Sequence, residues 1–153
     1  MAGRTLTPAE LLARIPQREP FRFVDEILEV DDEHVLASYT WRPEADFYRG
    51  HFPGDPVTPG VLLVESLAQS SVVALGIYLL AQELPDEEAA KVVPFFTDAS
   101  IEFSGIVRPG TRVRMESKKV FWRRRKLRIE GRILLDDDSV VCSGTLAGIG
   151  VTR

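Results

Sequence analysis

The segment GVLLVESLAQSSVVALGIYLLA, Gly60 to Ala81, carries a single charge, Glu65. From Val72 to Ala81 there is none, so this half of a helix has no wet face and must be wrapped. The sequence predicts a helix that starts near Pro59, with Thr58 as its cap, and runs to about Ala81. At ~1.5 Å per residue such a helix is long enough to cross a bilayer. Against a membrane span, Glu65, Ser66, Gln69, Ser70 and Ser71 crowd one half of it, and flanking Lys/Arg anchors are absent. The expectation is the buried core helix of a soluble domain, and its wrapping must come from the rest of the chain.

That rest reads mostly as strand. Thr7-Pro8-Ala9-Glu10 is a capping box with proline at the first helical position, and Pro16 and Pro20 keep this first helix short. Phe21 to Val30 and Glu33 to Trp41 have strand character, joined at Asp31-Asp32. Residues 43–58 form a loop, and Leu84 to Lys91 an acidic one. Strand-like runs follow at Val92 to Phe103, Arg112 to Trp122, Lys126 to Leu135 and Val140 to Val151. In the third of these, Leu127, Ile129, Gly131, Ile133 and Leu135 alternate with Lys126, Arg128, Glu130, Arg132 and Leu134, the pattern of a half-buried antiparallel strand. The order predicts an α+β fold in one domain, residues 1–153: a curved antiparallel β-sheet wrapped around one long central helix.

Composition is ordinary for a soluble globular protein, at 44% hydrophobic and 27% charged residues. A net charge of −4 argues against nucleic acid as a partner. The single cysteine, Cys142, excludes an internal disulfide and a cysteine-based zinc site, and its apolar alternating surroundings predict a buried strand thiol. Met1 to Glu10 lacks the apolar run of a signal peptide. A cytoplasmic protein is expected, with no membrane partner. Neither a metal-ligand cluster nor a phosphate loop is present in the sequence, so no metal and no cofactor are expected.

The chemistry gathers just ahead of the helix. His51, one of two histidines, sits in His51-Phe52-Pro53-Gly54-Asp55-Pro56-Val57-Thr58-Pro59-Gly60, a loop stiffened by proline and glycine. Glu65 lies among Leu62, Leu63, Val64 and Leu67 on the helix. Imidazole is a competent base near neutral pH, and a buried carboxyl keeps its proton longer than an exposed one. Together the two residues read as an acid/base pair. The plainer alternatives are a histidine that only bonds locally and a glutamate on a small wet patch. Gln69, four residues after Glu65, shares its helical face and either orients the carboxyl or serves as a structural hydrogen-bonding group.

Gly50 to Leu62 followed by Glu65, Ala68 and Gln69 closely resembles the signature of the beta-hydroxyacyl-acyl carrier protein dehydratases of FabZ type. Ile15-Pro16-Gln17-Arg18-Glu19-Pro20-Phe21 with Val24-Asp25, and Val107-Arg108-Pro109-Gly110, resemble flanking segments of the same family. Two departures are Gln17, where the family commonly has histidine, and Phe103-Ser104-Gly105, which replaces a more basic stretch.

The resemblance implies the hotdog fold, a sheet around one helix. It implies dehydration of (3R)-3-hydroxyacyl-[acyl carrier protein] to the trans-2-enoyl thioester, in fatty-acid or in polyketide or polyene synthesis. His51 would take the C2 proton and Glu65 would assist the departing hydroxyl. The N–H groups of Gly60 and Val61, at the positive end of the helix, would face the thioester oxygen; the plainer alternative is a glycine that merely lets the chain enter the helix. It further implies a homodimer in which His51 of one chain meets Glu65 of the other, with a trimer of dimers also allowed.

Phe47, Tyr48, Phe52, Phe95 and Phe96 are candidate walls of an acyl tunnel, or simply core. Arg123, Arg124, Arg125 and Lys126, with Lys118 and Lys119 nearby, suit docking of an acidic acyl carrier protein, or form a solvated turn. The competing functions are a hotdog acyl thioesterase and a non-catalytic acyl-carrier binding module. Glu65, where the isomerising dehydratases generally carry aspartate, favours the non-isomerising type.

Overall fold

The computed structural model describes residues 3–153. Helix α1, Pro8–Arg14, begins with the capping box that the sequence predicts: Glu10 N–H donates to Thr7 Oγ1 (3.2 Å) and Thr7 N–H to Glu10 Oε1 (3.0 Å). Strands β1, Glu26–Val30, and β2, His34–Thr40, form a hairpin. A 3-10 turn at Asp46–Arg49 interrupts the long loop, and helix α2 then runs from Gly60 to Glu83. A one-turn helix α3, Asp86–Ala89, leads into β3, Val92–Phe103, β4, Arg112–Arg123, β5, Lys126–Leu134, and β6, Val140–Thr152. All pairings are antiparallel, in the order β1-β2-β4-β5-β6-β3, so β1 and β3 are the sheet edges.

Helix α2 is long and apolar enough to cross a membrane, yet most of its apolar window is buried inside the chain. Leu63, Leu67 and Leu75 share one buried cluster with Val35, Ala37, Met115, Ile129, Ile133 and Leu146 from the sheet, Leu11 from α1 and Ile15 just after it. The sheet passes close to the helix at Gly131, where a Cβ would stand 3.1 Å from Leu67 Cδ1. Along β5 the alternation holds, with Leu127, Ile129, Gly131 and Ile133 inward. Leu134, expected on the wet face, is also buried, because the pairing with β6 shifts register between Ile133 and Leu134.

The helix contains a π-helical turn at Gln69–Val73 in the serine-rich stretch. Ser70 and Ser71 hydroxyls donate to Leu67 O, and Ser66 to Phe23 O. These buried hydroxyls therefore find their partners within the protein.

Three local expectations are corrected. Thr58 does not cap α2; its hydroxyl pairs with Tyr48 Oη at 2.6 Å, and Pro59 occupies the cap position. The first strand does not begin at Phe21, because the Phe21 and Phe23 backbones bond to helix side chains, and pairing starts only near Asp25, whose N–H donates to Ser38 O. The acidic loop contains α3, where Asp86 holds Arg14 at 2.9 Å. Strand β3 is exposed on both faces from Phe95 to Ser100, since α2 does not cover it.

Candidate active site

His51 lies in a loop tied at both ends. Val57 N–H donates to His51 O (2.9 Å), Thr58 N–H to Val107 O (2.9 Å), and Phe52 and Asp55 exchange backbone bonds at 3.2 and 2.9 Å. Gly54 sits at φ 76°, the left-handed conformation that this tight turn requires. Arg108 clamps the outside through Asp55 Oδ1 (2.7 Å) and Pro56 O (3.2 Å). The imidazole Nδ1 lies 2.8 Å from Val57 O. A carbonyl only accepts, so Nδ1 carries the hydrogen and the neutral ring presents a lone pair at Nε2. Phe52 stacks on this ring at 4.2 Å and is 54% exposed.

Glu65 is half-buried on α2, and desolvation pushes its carboxyl pKa above the ordinary value, opposed by a hydrogen bond from Gln69. Gln69 is fully buried and makes three bonds: Nε2 donates to Glu65 Oε2 (2.8 Å) and to Phe21 O (2.9 Å), while Oε1 accepts from Phe23 N–H (2.8 Å). It thus both orients the carboxyl and fastens the 21–23 segment to the helix. Gly60 and Val61 open the helix, where their N–H groups have no intrahelical acceptor. A Cβ at Gly60 would meet the Phe103 ring at 3.1 Å, so a residue of the departing Phe103-Ser104-Gly105 stretch covers this position. Val61 is 77% exposed.

Glu65 opens into a largely apolar cavity of about 830 Å³ between α2, β3 and the β4–β5 hairpin. Phe95 and Phe96 line it; Phe47, Tyr48 and Phe52 do not. Tyr48 is instead buried against Thr58. His51 is not on the cavity wall, and no hydrogen bond joins it to Glu65 within the chain. Gln17 is on the wall, with a buried Oε1 that has no hydrogen-bond partner among the described residues.

Arg124 and Arg125 form the two-residue turn between β4 and β5, at φ 50° and 63°. Among the described residues, none of Arg123, Arg124, Arg125 and Lys126 is ion-paired with a carboxylate. Arg125 also lines the cavity and donates to Thr152 Oγ1 (2.7 Å). Cys142 is buried, and burial pushes its thiol up to about 11, consistent with an inert strand residue.

Sequence reasoning did not single out Ser66. It precedes Gln69 by one helical turn and joins the same segment through Phe23 O at 2.7 Å. The available signal was the cluster of polar side chains on a helix with no wet face, each of which must find a partner inside.

Comparison with known proteins places this geometry in a family. The model of the FabA-like domain matches residues 15–145. The 3-hydroxyacyl-[acyl-carrier-protein] dehydratase FabZ of Acidiphilium cryptum is 37% identical over 118 residues, 76% of this chain and 68% of that protein. The protein of the same name from Syntrophobacter fumaroxidans is 30% identical over 145 residues, 95% of each chain. Among solved structures, the dehydratase heterocomplex ApeI:P from Xenorhabdus doucetiae superposes with a TM-score of 0.74 at 16% identity, covering 97% of this chain and 93% of that one. A thioesterase from Haemophilus influenzae gives 0.68 at 14% identity over 99% and 94%. These two likenesses establish the hotdog fold. The family-model match and the identity to the FabZ proteins go further: the chain belongs to the FabA-like family and is of FabZ type.

Proposed function

We propose that the protein is a hydro-lyase that removes water from (3R)-3-hydroxyacyl-[acyl carrier protein] to give the trans-2-enoyl thioester in fatty-acid biosynthesis. The observation that carries this reading is the Glu65 carboxyl. It is kept protonated to higher pH by burial, is aimed by Gln69, and stands on the wall of an apolar cavity. Proteins 37% and 30% identical to this chain are named for that reaction.

In this reading His51 Nε2 takes the C2 proton. The C3–O bond breaks, and the hydroxyl leaves as water with a proton from Glu65. Charge that develops on the thioester oxygen is held by the N–H groups of Gly60 and Val61 at the helix start. Return of one proton from His51 to Glu65 through solvent resets the site. Phe95 and Phe96 flank the acyl chain, and Phe52 packs on the base.

The reading includes a homodimer. No hydrogen bond joins His51 to Glu65 within one chain, His51 is not on the cavity wall, and β3 is an edge strand with exposed Phe95, Phe96 and Phe103. His51 of one protomer then faces the partner subunit's Glu65. It also includes docking of an acidic acyl carrier protein on Arg123, Arg124, Arg125 and Lys126. L-residues disfavour φ > 0, and two-residue hairpin turns prefer Asn-Gly there. Two arginines in that place argue for a use of their charge.

The test is incubation with 3-hydroxyacyl and trans-2-enoyl carrier-protein thioesters, with native mass measured in parallel. Interconversion by a dimer, or by a trimer of dimers, supports the reading. Release of free acid without enoyl product would make the protein a thioesterase, and binding without turnover an acyl-carrier module.

A further inference from the structure

The cavity follows one face of α2. Its helix wall consists of Glu65, Ala68, Val72, Val73, Gly76 and residues beyond, to Leu80. At ~1.5 Å per residue, the separation from Glu65 to Gly76 corresponds to roughly 16 Å and that to Leu80 to roughly 22 Å. An extended alkyl chain, with bonds of ~1.5 Å in trans, advances about 1.25 Å per carbon. With C3 beside Glu65, the level of Gly76 is reached at about the sixteenth carbon. Past Leu80 the wall turns polar: Arg14 and Asp86, paired at 2.9 Å, line that end. Alkyl carbons gain nothing by displacing water from such a pair.

Gly76 is the one helix position along this path without a side chain, and packing does not demand it. A Cβ there would find only Leu127 Cδ2, at 4.0 Å, an ordinary contact. Gly148, on the facing wall, differs: a Cβ there would stand 3.1 Å from Phe95 O. Glycine inside a helix costs about 0.5–1 kcal/mol relative to alanine, so its place at 76 calls for another cause.

We propose that Gly76 is the chain-length determinant of this dehydratase: its bare backbone keeps the distal half of the cavity open to long acyl chains. A helical side chain covers the turn N-terminal to its own Cα. Leucine at 76 would therefore close the path about one turn, ~5.4 Å, earlier and limit the acyl chain to roughly twelve carbons. The inference rests on the dehydratase reading for its substrate, and a binding measurement separates the two.

The experiment compares wild type, Gly76→Ala and Gly76→Leu on 3-hydroxyacyl thioesters of about 8 and about 16 carbons, lengths that end short of and level with Gly76. In Gly76→Leu, kcat/KM for the long substrate should fall at least ~10-fold while the short one stays within ~2-fold, with Gly76→Ala in between. An unchanged ratio of long to short, or an equal fall in both, overturns the proposal. If Gly76→Leu does not fold, Gly76→Val serves. If the wild type dehydrates neither substrate, the activity reading fails. The length limit is then read from binding of free fatty acids of the same two lengths, where selective loss of the longer one still supports it and equal binding refutes it.

Discussion

Gln69→Ala tests whether one buried amide joins the fold to the chemistry. Gln69 is fully buried, and truncation leaves Phe23 N–H and Phe21 O without their partners. An unsatisfied buried backbone group costs about 1–3 kcal/mol; that cost falls on Phe23 N–H, while Phe21 O, on a half-exposed residue, can turn to water, so the loss is about 1–3 kcal/mol of a total stability of about 5–15 kcal/mol. For a chain of this size, ~1 kcal/mol shifts the melting temperature by about 2–4 °C, so Tm should fall by roughly 2–12 °C. The same change removes the hydrogen bond that lowers the Glu65 pKa and leaves desolvation unopposed. Glu65 then holds its proton to higher pH, and the alkaline limb of the kcat profile moves up. Circular dichroism melts at fixed protein concentration and pH–rate profiles on a 3-hydroxyacyl thioester measure both effects. A variant that melts within ~2 °C of wild type with an unmoved limb would show that Gln69 neither fastens the 21–23 segment nor positions Glu65.

His51→Ala and Glu65→Gln should each lower turnover at least ~10²-fold with the fold intact, and near-normal activity in either variant removes that residue from the mechanism. Mixing the two variants under conditions of subunit exchange should restore about a quarter of wild-type activity, because half of the dimers then carry one intact shared site; no recovery would place both residues of a site in one chain. Because burial raises the Glu65 pKa, its ionisation opposes folding: the effect is absent below the ordinary value of 4.5 and grows as pH rises through the raised pKa. Glu65→Gln should therefore melt above wild type at about pH 8 and converge with it near pH 4, and equal melting at both pH values contradicts the burial argument. Replacing the Arg124-Arg125 turn by Asn-Gly should relieve about 1–2 kcal/mol of left-handed strain and raise Tm while it raises KM for the carrier-bound substrate alone; an equal KM change on a carrier-free thioester would refute docking at the hairpin.

The wrapped helix was legible because Val72 to Ala81 has no charge and the following segments alternate with period two. Local signals such as the Thr7 capping box were legible because donor and acceptor lie three residues apart. The Phe21 segment misled the strand reading because Phe23 and Val24 do face the core, but its backbone bonds go to Gln69 and Ser66, more than forty positions away in sequence. Propensity carries no information about such partners. Thr58 misled in the same way, since the Tyr48 hydroxyl competes for the oxygen that would have capped α2.

The proposed acid/base residues, His51 and Glu65, show the same division between local and distant causes. Val57 fixes the His51 tautomer from six residues away and Gln69 holds Glu65 from four, so each group is prepared by its own neighbourhood. Their meeting is not prepared by anything in a single chain. Glu65 lines the cavity and His51 stands off its wall, and the sheet edge β3 is open on both faces from Phe95 to Ser100. An edge strand of this length with exposed aromatic residues invites a second strand. Antiparallel pairing of β3 with itself about a two-fold axis would cover Phe95, Phe96 and Phe103, and it supplies a physical reason for the proposed division of each site between two copies.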